Sequence, residues 1–147
     1  MPSEIPPQPT EADWNRFLSE VATEFGCTTG TIHRLDPADG LLKLVAAQAI
    51  PPQLIPVIST IPVGKGIAGA AAERQEPVEL CNLQTDTSGV AKPGAAQTQV
   101  MGSLAVPMMQ GTTLRGTLGI GKLVPYEFTS EEKDKLMSIA SQAAEKL

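Results

Sequence analysis

The chain has 147 residues, 41% of them hydrophobic and 18% charged, with a net charge of −5. This is enough for one domain with a real core and is the balance of a globular protein, not a disordered one. The eleven Lys and Arg residues are scattered, and one Trp and one Tyr offer little to stack bases on, which excludes a nucleic-acid surface.

Taken in chain order, residues 1–9 (MPSEIPPQP) have no basic stretch and no apolar core, so they are not a signal peptide; four prolines make them a flexible tail. Thr10 is a candidate N-cap for a helix over about 11–25, whose apolar residues Trp14, Phe17, Leu18, Val21, Ala22 and Phe25 recur at helical steps. Gly26 closes it. TTGTIHRL (28–35), the turn DPADG (36–40) and LLKLVAAQA (41–49) read as a hairpin. PPQLIPVIS reads as a short helix, with proline in its first turn. GIAGAAAER (66–74) is a second short helix, followed by the strand VELC. Residues 82–99 are small and polar without periodicity, and a loop that long in a compact domain is usually functional. VMGSLAVPMM (100–109), the turn QGTT and LRGTLGIGKL (114–123) form another hairpin. Thr129 and Glu132 spell a capping box for a last helix with the stripe Leu136, Ile139, Ala140, Ala143 and Leu147. Two hairpins imply an antiparallel sheet that the end helices must cover, an α+β arrangement. No apolar run reaches membrane-span length, and the expected setting is cytoplasmic.

VGKGIAGAAAER (63–74) contains G-x-G-x-x-G at Gly64, Gly66 and Gly69, with Asp86 about 20 residues on. A dinucleotide fingerprint needs a buried parallel strand before its first glycine. Here Pro56 and Pro62 each remove a ladder donor, and the following strands pair as hairpins. The glycines are read instead as local devices: Gly64 and Gly66 for a sharp helix entry, Gly69 for close packing. Cys27 and Cys81 have no C-x-x-C neighbour, which argues against a zinc site and leaves two free thiols.

IPVGKGIAGAAAERQEPVEL, followed by GSLAVPMMQGTTLRGTLGIGKLVPYEFTSEEKDKLMSIASQAAEKL, resembles the GAF domain family over about residues 10–147. The resemblance implies a GAF-like, profilin-like fold. In it a central antiparallel sheet carries the N- and C-terminal helices on one face, and a pocket roofed by the short helix and the long loop lies on the other. It also implies a non-enzymatic sensory domain in signal transduction that binds a small molecule, with dimerisation through the terminal helices. Strand alternation puts Thr31 and His33 on one face, which by resemblance looks into the pocket. Ile67 and Ala68 match positions whose backbone borders the ligand in cyclic-nucleotide-binding members, and Asp86, Thr98 and Gln99 are the loop groups expected to make polar contacts.

The sub-functions of the family match unevenly. Lys122 and Phe128 fit the cyclic-nucleotide pattern and Glu132 is a conservative fit, but Gly121 stands for Asn and Lys133 reverses an acid. Neither cysteine precedes a histidine, as covalent bilin attachment needs, and His33 is the only histidine that could ligate haem. The reductases of free methionine sulfoxide need a nucleophilic and a resolving cysteine close together, yet no cysteine follows Cys81. The ligand and any cofactor are not identified by these residues. A ligand-free dimerisation module, with the last helix's stripe serving a partner, is the alternative of a different class.

Overall fold

The computed structural model describes residues 4–82 and 100–147. Its elements are α1 (Glu11–Glu24), β1 (Thr29–Leu35), β2 (Leu41–Gln48), a 3-10 turn (Pro52–Leu54) running into α2 (Ile55–Ile58), β3 (Thr60–Pro62), α3 (Gly66–Arg74), β4 (Val78–Leu80), β5 (Ser103–Gln110), β6 (Thr113–Gly121) and α4 (Ser130–Ala144).

Helix α1 begins where Thr10 accepts from the Asp13 amide, while the Asp13 carboxylate accepts from the Thr10 amide at 2.9 Å. The cap read from Thr10 is thus a full capping box, which satisfies two orphan donors at once. The helix ends at Gly26, whose φ of +64° suits glycine. There Gly26 N–H donates to Thr23 O (3.0 Å) and Cys27 N–H to Ala22 O (2.7 Å), the paired bonds of a Schellman motif. At the other end of the chain Thr129 and Glu132 form the expected capping box of α4.

The sheet has six strands in the order β3-β2-β1-β6-β5-β4, and every neighbouring pair is antiparallel. The crossover a dinucleotide fingerprint requires is therefore missing among the described residues. Strand β3 is the one described strand outside the sequence reading. It is only three residues long, pairs with Leu41–Lys43 at the sheet edge and ends on Pro62, where a missing donor costs no ladder bond. Pro107 is tolerated in β5 for a related reason: β4 stops opposite Ala105, leaving β5 as an edge beyond it.

Alternation divides the sheet into two chemically different faces. Ile32, Leu104, Val106, Met108, Leu118 and Ile120 point to the side on which α1 and α4 pack, and form the main core with Leu18, Val21, Leu136 and Ile139. Leu18, Leu104, Leu118 and Leu136 are fully buried, each worth about 2 kcal/mol relative to exposure. The α4 stripe is used here by the chain's own sheet, because Leu136, Ile139, Ala140 and Ala143 are all buried. The outward face of α4 carries Asp134, Lys135, Ser138, Ser141, Gln142 and Glu145, all exposed. Ile5, inside the segment read as a flexible tail, is buried in the same core, so the packed chain extends at least that far. No helix among the described residues is long and apolar enough to cross a membrane.

Candidate functional site

The opposite face of the sheet is small and polar. Thr29, Thr31 and His33 of β1 alternate with Gly30 and Ile32, while Thr117, Gly119 and Gly121 of β6 alternate with Leu118 and Ile120. A Cβ on Gly119 would lie 3.3 Å from Thr31 Oγ1, and one on Gly121 would lie 2.6 Å from Thr29 Oγ1, which places these residues on a common surface. Thr29, His33, Ser103 and Thr117 are the buried polar residues of the described chain. None of the four carries a fixed charge. A buried hydroxyl without a partner costs about 1–3 kcal/mol, so such a patch in place of aliphatic side chains calls for a physical reason.

Two of its side chains have distinct environments. His33 is 1% exposed, and its Nε2–H donates to the Ile58 carbonyl at 2.8 Å. Ile58 is the last residue of α2, so the imidazole satisfies one of the carbonyls that a helix end leaves open. Thr117, its direct cross-strand neighbour, is also 1% exposed, and its hydroxyl has no hydrogen-bond partner among the described residues.

Helix α3 covers part of this face through small residues. Ala68 and Ala72 pack with Leu42 and Ile61, while Ala70 and Ala71 pack with Val78 and Ala105. The glycines leading into it act as the local devices expected. Gly64 (φ +92°) and Gly66 (φ +68°) occupy backbone conformations that side chains resist. A Cβ on Gly69 would sit 2.6 Å from the Pro62 carbonyl oxygen. Gly64 N–H donates to Gly69 O at 2.8 Å, so the loop folds on itself and the amide that would face a pyrophosphate is already bonded.

Of the residues singled out from sequence, Thr31 and His33 lie on the polar face as alternation requires. Ala68 is buried and Ile67 half-buried in the first turn of α3, each packed on one of the two small clusters beneath the helix. Asp86, Thr98 and Gln99 lie outside the described residues. Thr29 and Ser103 were not singled out, and Thr117 was placed on the small face of its strand but not among the expected ligand contacts. For Thr117 the signal was there: it alternates with Gly119 and Gly121 in a strand whose other face is aliphatic.

The residues matching the cyclic-nucleotide pattern do a different job. Lys122 Nζ donates to the carbonyls of Phe25 (3.0 Å) and Gly26 (3.2 Å), closing the C-terminus of α1 where a cation is favoured, and lies 4.3 Å from the Tyr126 ring centre. Tyr126 Oη donates to Glu132 at 2.7 Å, and Lys133 pairs with Glu79 at 2.8 Å. Glu79 also accepts from the Phe128 amide. Together they brace the junction of α1, β6 and α4. Burial pushes the Glu132 carboxyl up, but hydrogen bonds from the Thr129 amide, the Tyr126 hydroxyl and the Thr129 hydroxyl outweigh it and hold it below the usual range. Asp13 is held low chiefly by the Thr10 amide, and Glu24 chiefly by Lys135. These lowered groups stabilise the fold fully above the unfolded carboxylate value and lose that contribution as pH falls through the folded one. The melting temperature is therefore expected to be level between about pH 5 and pH 8 and to drop below about pH 4. Glu132→Gln should flatten part of the drop, and a melting series across pH checks both.

The two thiols differ in setting and lie apart. Burial pushes the Cys27 thiol up to about 11, with Lys122 opposing and Glu132 adding to the effect, so the nucleophilic thiolate is scarce at neutral pH. Cys81 is exposed. Thr29 pairs with Gly121, Gly121 with Ser103, and Ser103 with Leu80. The strand ends that carry the two cysteines are thus three inter-strand steps apart, roughly 14 Å, against the limit of about 7 Å between Cα atoms for a disulfide.

An antiparallel sheet with its end helices on one face and a short helix over a polar patch on the other defines an α+β domain. The chain belongs to the GAF domain family, whose model matches residues 10–147. A comparison with curated proteins finds no match. Among solved structures, the GAF domain of a phosphoenolpyruvate-protein phosphotransferase from Coxiella burnetii is similar at a TM-score of 0.78 and 21% identity, covering 91% of this chain and 79% of that one. Free methionine-R-sulfoxide reductase from Neisseria meningitidis is similar at 0.76 and 16%, covering 92% and 76%. The second GAF domain of DevS from Mycobacterium smegmatis is similar at 0.66 and 23%, covering 91% and 90%. At these identities the likeness is one of fold.

Proposed function

We propose that this domain is a non-enzymatic cytoplasmic sensor that binds a small, hydrogen-bonding molecule against the polar face of its sheet. The observation that carries the reading is the Thr117 hydroxyl, buried beside His33 without a hydrogen-bond partner among the described residues. A ligand oxygen or nitrogen would satisfy it. Thr31, His33 and Thr117 contribute the floor and Ile67 and Ala68 the α3 side, while Asp86, Thr98 and Gln99 add polar contacts from the segment joining β4 to β5. The uncharged floor favours ligands whose contact surface there is neutral. The similar sulfoxide reductases raise the enzymatic alternative, and the raised Cys27 thiol and the separation of the cysteines weigh against it.

The test is a thermal-shift screen of small metabolites, with mass spectrometry of whatever copurifies. A ligand at about a hundred times its Kd should add about 2.7 kcal/mol, or roughly 5–10 °C in a domain of this size. If no compound shifts melting and nothing copurifies, the ligand-free module is the better reading. Thiol-dependent turnover of free methionine sulfoxide would overturn the non-enzymatic assignment.

A further inference from the structure

The outer edge of β2 is paired over only half its length. Strand β3 pairs with Leu41, Leu42 and Lys43, and Leu44 N–H still donates to Ser59 O at 2.9 Å. Immediately afterwards the strand bulges. Ile32 faces Ala46 while His33 faces Leu44, which leaves Val45 as the extra residue. A bulge bends its strand and breaks the ladder, which explains why the pairing with β3 stops there. From Val45 to Gln48 no backbone hydrogen bond joins the outer edge of β2 among the described residues.

A groove of about 570 Å³ runs beside this open edge. It is lined by Leu44–Ala47 of β2, by Glu11, Trp14 and Asn15 of α1, and by Pro9 and Ile55. It lies at the outer edge of β2 beside α1, and Thr31, His33 and Thr117 do not line it, so the inference does not rest on the reading proposed above. Glu11 is its one charged lining residue, exposed at the start of α1.

We infer that this groove accepts an extended peptide segment carrying a basic residue, which adds to the sheet beside Val45–Gln48. The open edge supplies the main-chain partners, an arrangement that gives strand addition its affinity. The space between Trp14 and Ile55 takes one apolar side chain of the segment. The Glu11 carboxylate, in a chain of net charge −5, selects a lysine or arginine over an acid at the adjoining position. The two features are separate: the bulge leaves the ladder open, and the placement of α1 walls the space alongside it.

Trp14 lines the groove and is the chain's single tryptophan, so no other tryptophan contributes to the emission. The probe is an acetylated, amidated Lys-Val-Lys-Val-Lys-Val peptide, run beside a version N-methylated at alternate residues and a version with Glu for Lys. The unmodified lysine peptide is expected to give a saturable emission change below about 1 mM. The N-methylated peptide, which cannot complete the ladder, should give none. Glu11→Lys is an exposed change that leaves the core intact. It should weaken the lysine peptide up to about fivefold and strengthen the glutamate peptide by a similar factor. Equal binding of the N-methylated peptide overturns the inference. So does indifference to the Glu11 charge swap, or no emission change at all. A second copy already seated on the edge, seen as a doubled mass before peptide is added, overturns it equally.

Discussion

Gly116→Ala is expected to lower stability by about 3 kcal/mol or more, the upper end of what overpacking a filled interior costs. Gly116 faces Arg34 across the β1–β6 ladder. A Cβ there would press on the His33 carbonyl oxygen and come within 2.5 Å of Leu147 Cδ2. A flexible side chain can yield, but a carbonyl held in the sheet cannot without moving β1. The midpoint of thermal unfolding should fall by roughly 6–12 °C. Gly40→Ala is the matched control: Gly40 has φ +71° but nothing within 4 Å of the added carbon, so only the left-handed conformation is penalised, at about 1 kcal/mol. Equal midpoints for the two variants would remove the argument from close approach. The obstructed group belongs to His33, so the substitution also disturbs the polar face, tying its stability effect to any ligand response.

The parts of this fold that could be read from the sequence are those set by local chemistry. Thr10 and Gly26 mark the ends of α1, and Thr129 with Glu132 marks the start of α4, because capping is decided within four residues of chain. The turns at 36–40 and 110–113 follow from Asp, Pro and Gly, and the observed Asp36 N–H to Leu41 O bond of 2.9 Å closes the first as expected. Alternation placed Thr31 and His33 together, and the prolines correctly removed the dinucleotide reading. What could not be read depends on distant partners. Nothing local to Val45 announces a bulge, since it is the mismatch of two registers against β1. Strand β3 hides behind the same prolines that argued against a central strand, because an edge tolerates them.

The candidate site is legible in the same partial way. Periodicity shows which residues share a face, and so groups Thr117 with the glycines of β6. It does not show which hydroxyls are satisfied. That His33 would reach the Ile58 carbonyl, 25 residues along the chain, while Thr117 beside it would find no partner among the described residues, is a property of the packed sheet. Lys122 makes the opposite point. Its position suited a cyclic-nucleotide pattern, but the end of α1 lies close enough to claim its ammonium group.

Thr117→Val separates a binding role for the polar face from a purely structural one. Valine keeps the β-branched shape and volume and removes only the hydroxyl. In a satisfied position that exchange loses a hydrogen bond and destabilises; at an unpartnered buried hydroxyl it removes a desolvation cost and stabilises. Thr117 is 1% exposed with its hydroxyl unpartnered among the described residues. The variant without ligand is therefore expected to be more stable by about 1 kcal/mol, or roughly 2–4 °C. Binding should move the other way. If a ligand satisfies the hydroxyl, its loss should weaken affinity about tenfold, the equivalent of 1.4 kcal/mol. A gain in stability with a loss of affinity is the trade-off expected of a group kept for binding, whereas loosening a strand would lower both. A variant that melts lower than the parent would mean that the hydroxyl is bonded within the protein, and the polar face would then lose its strongest claim to a ligand.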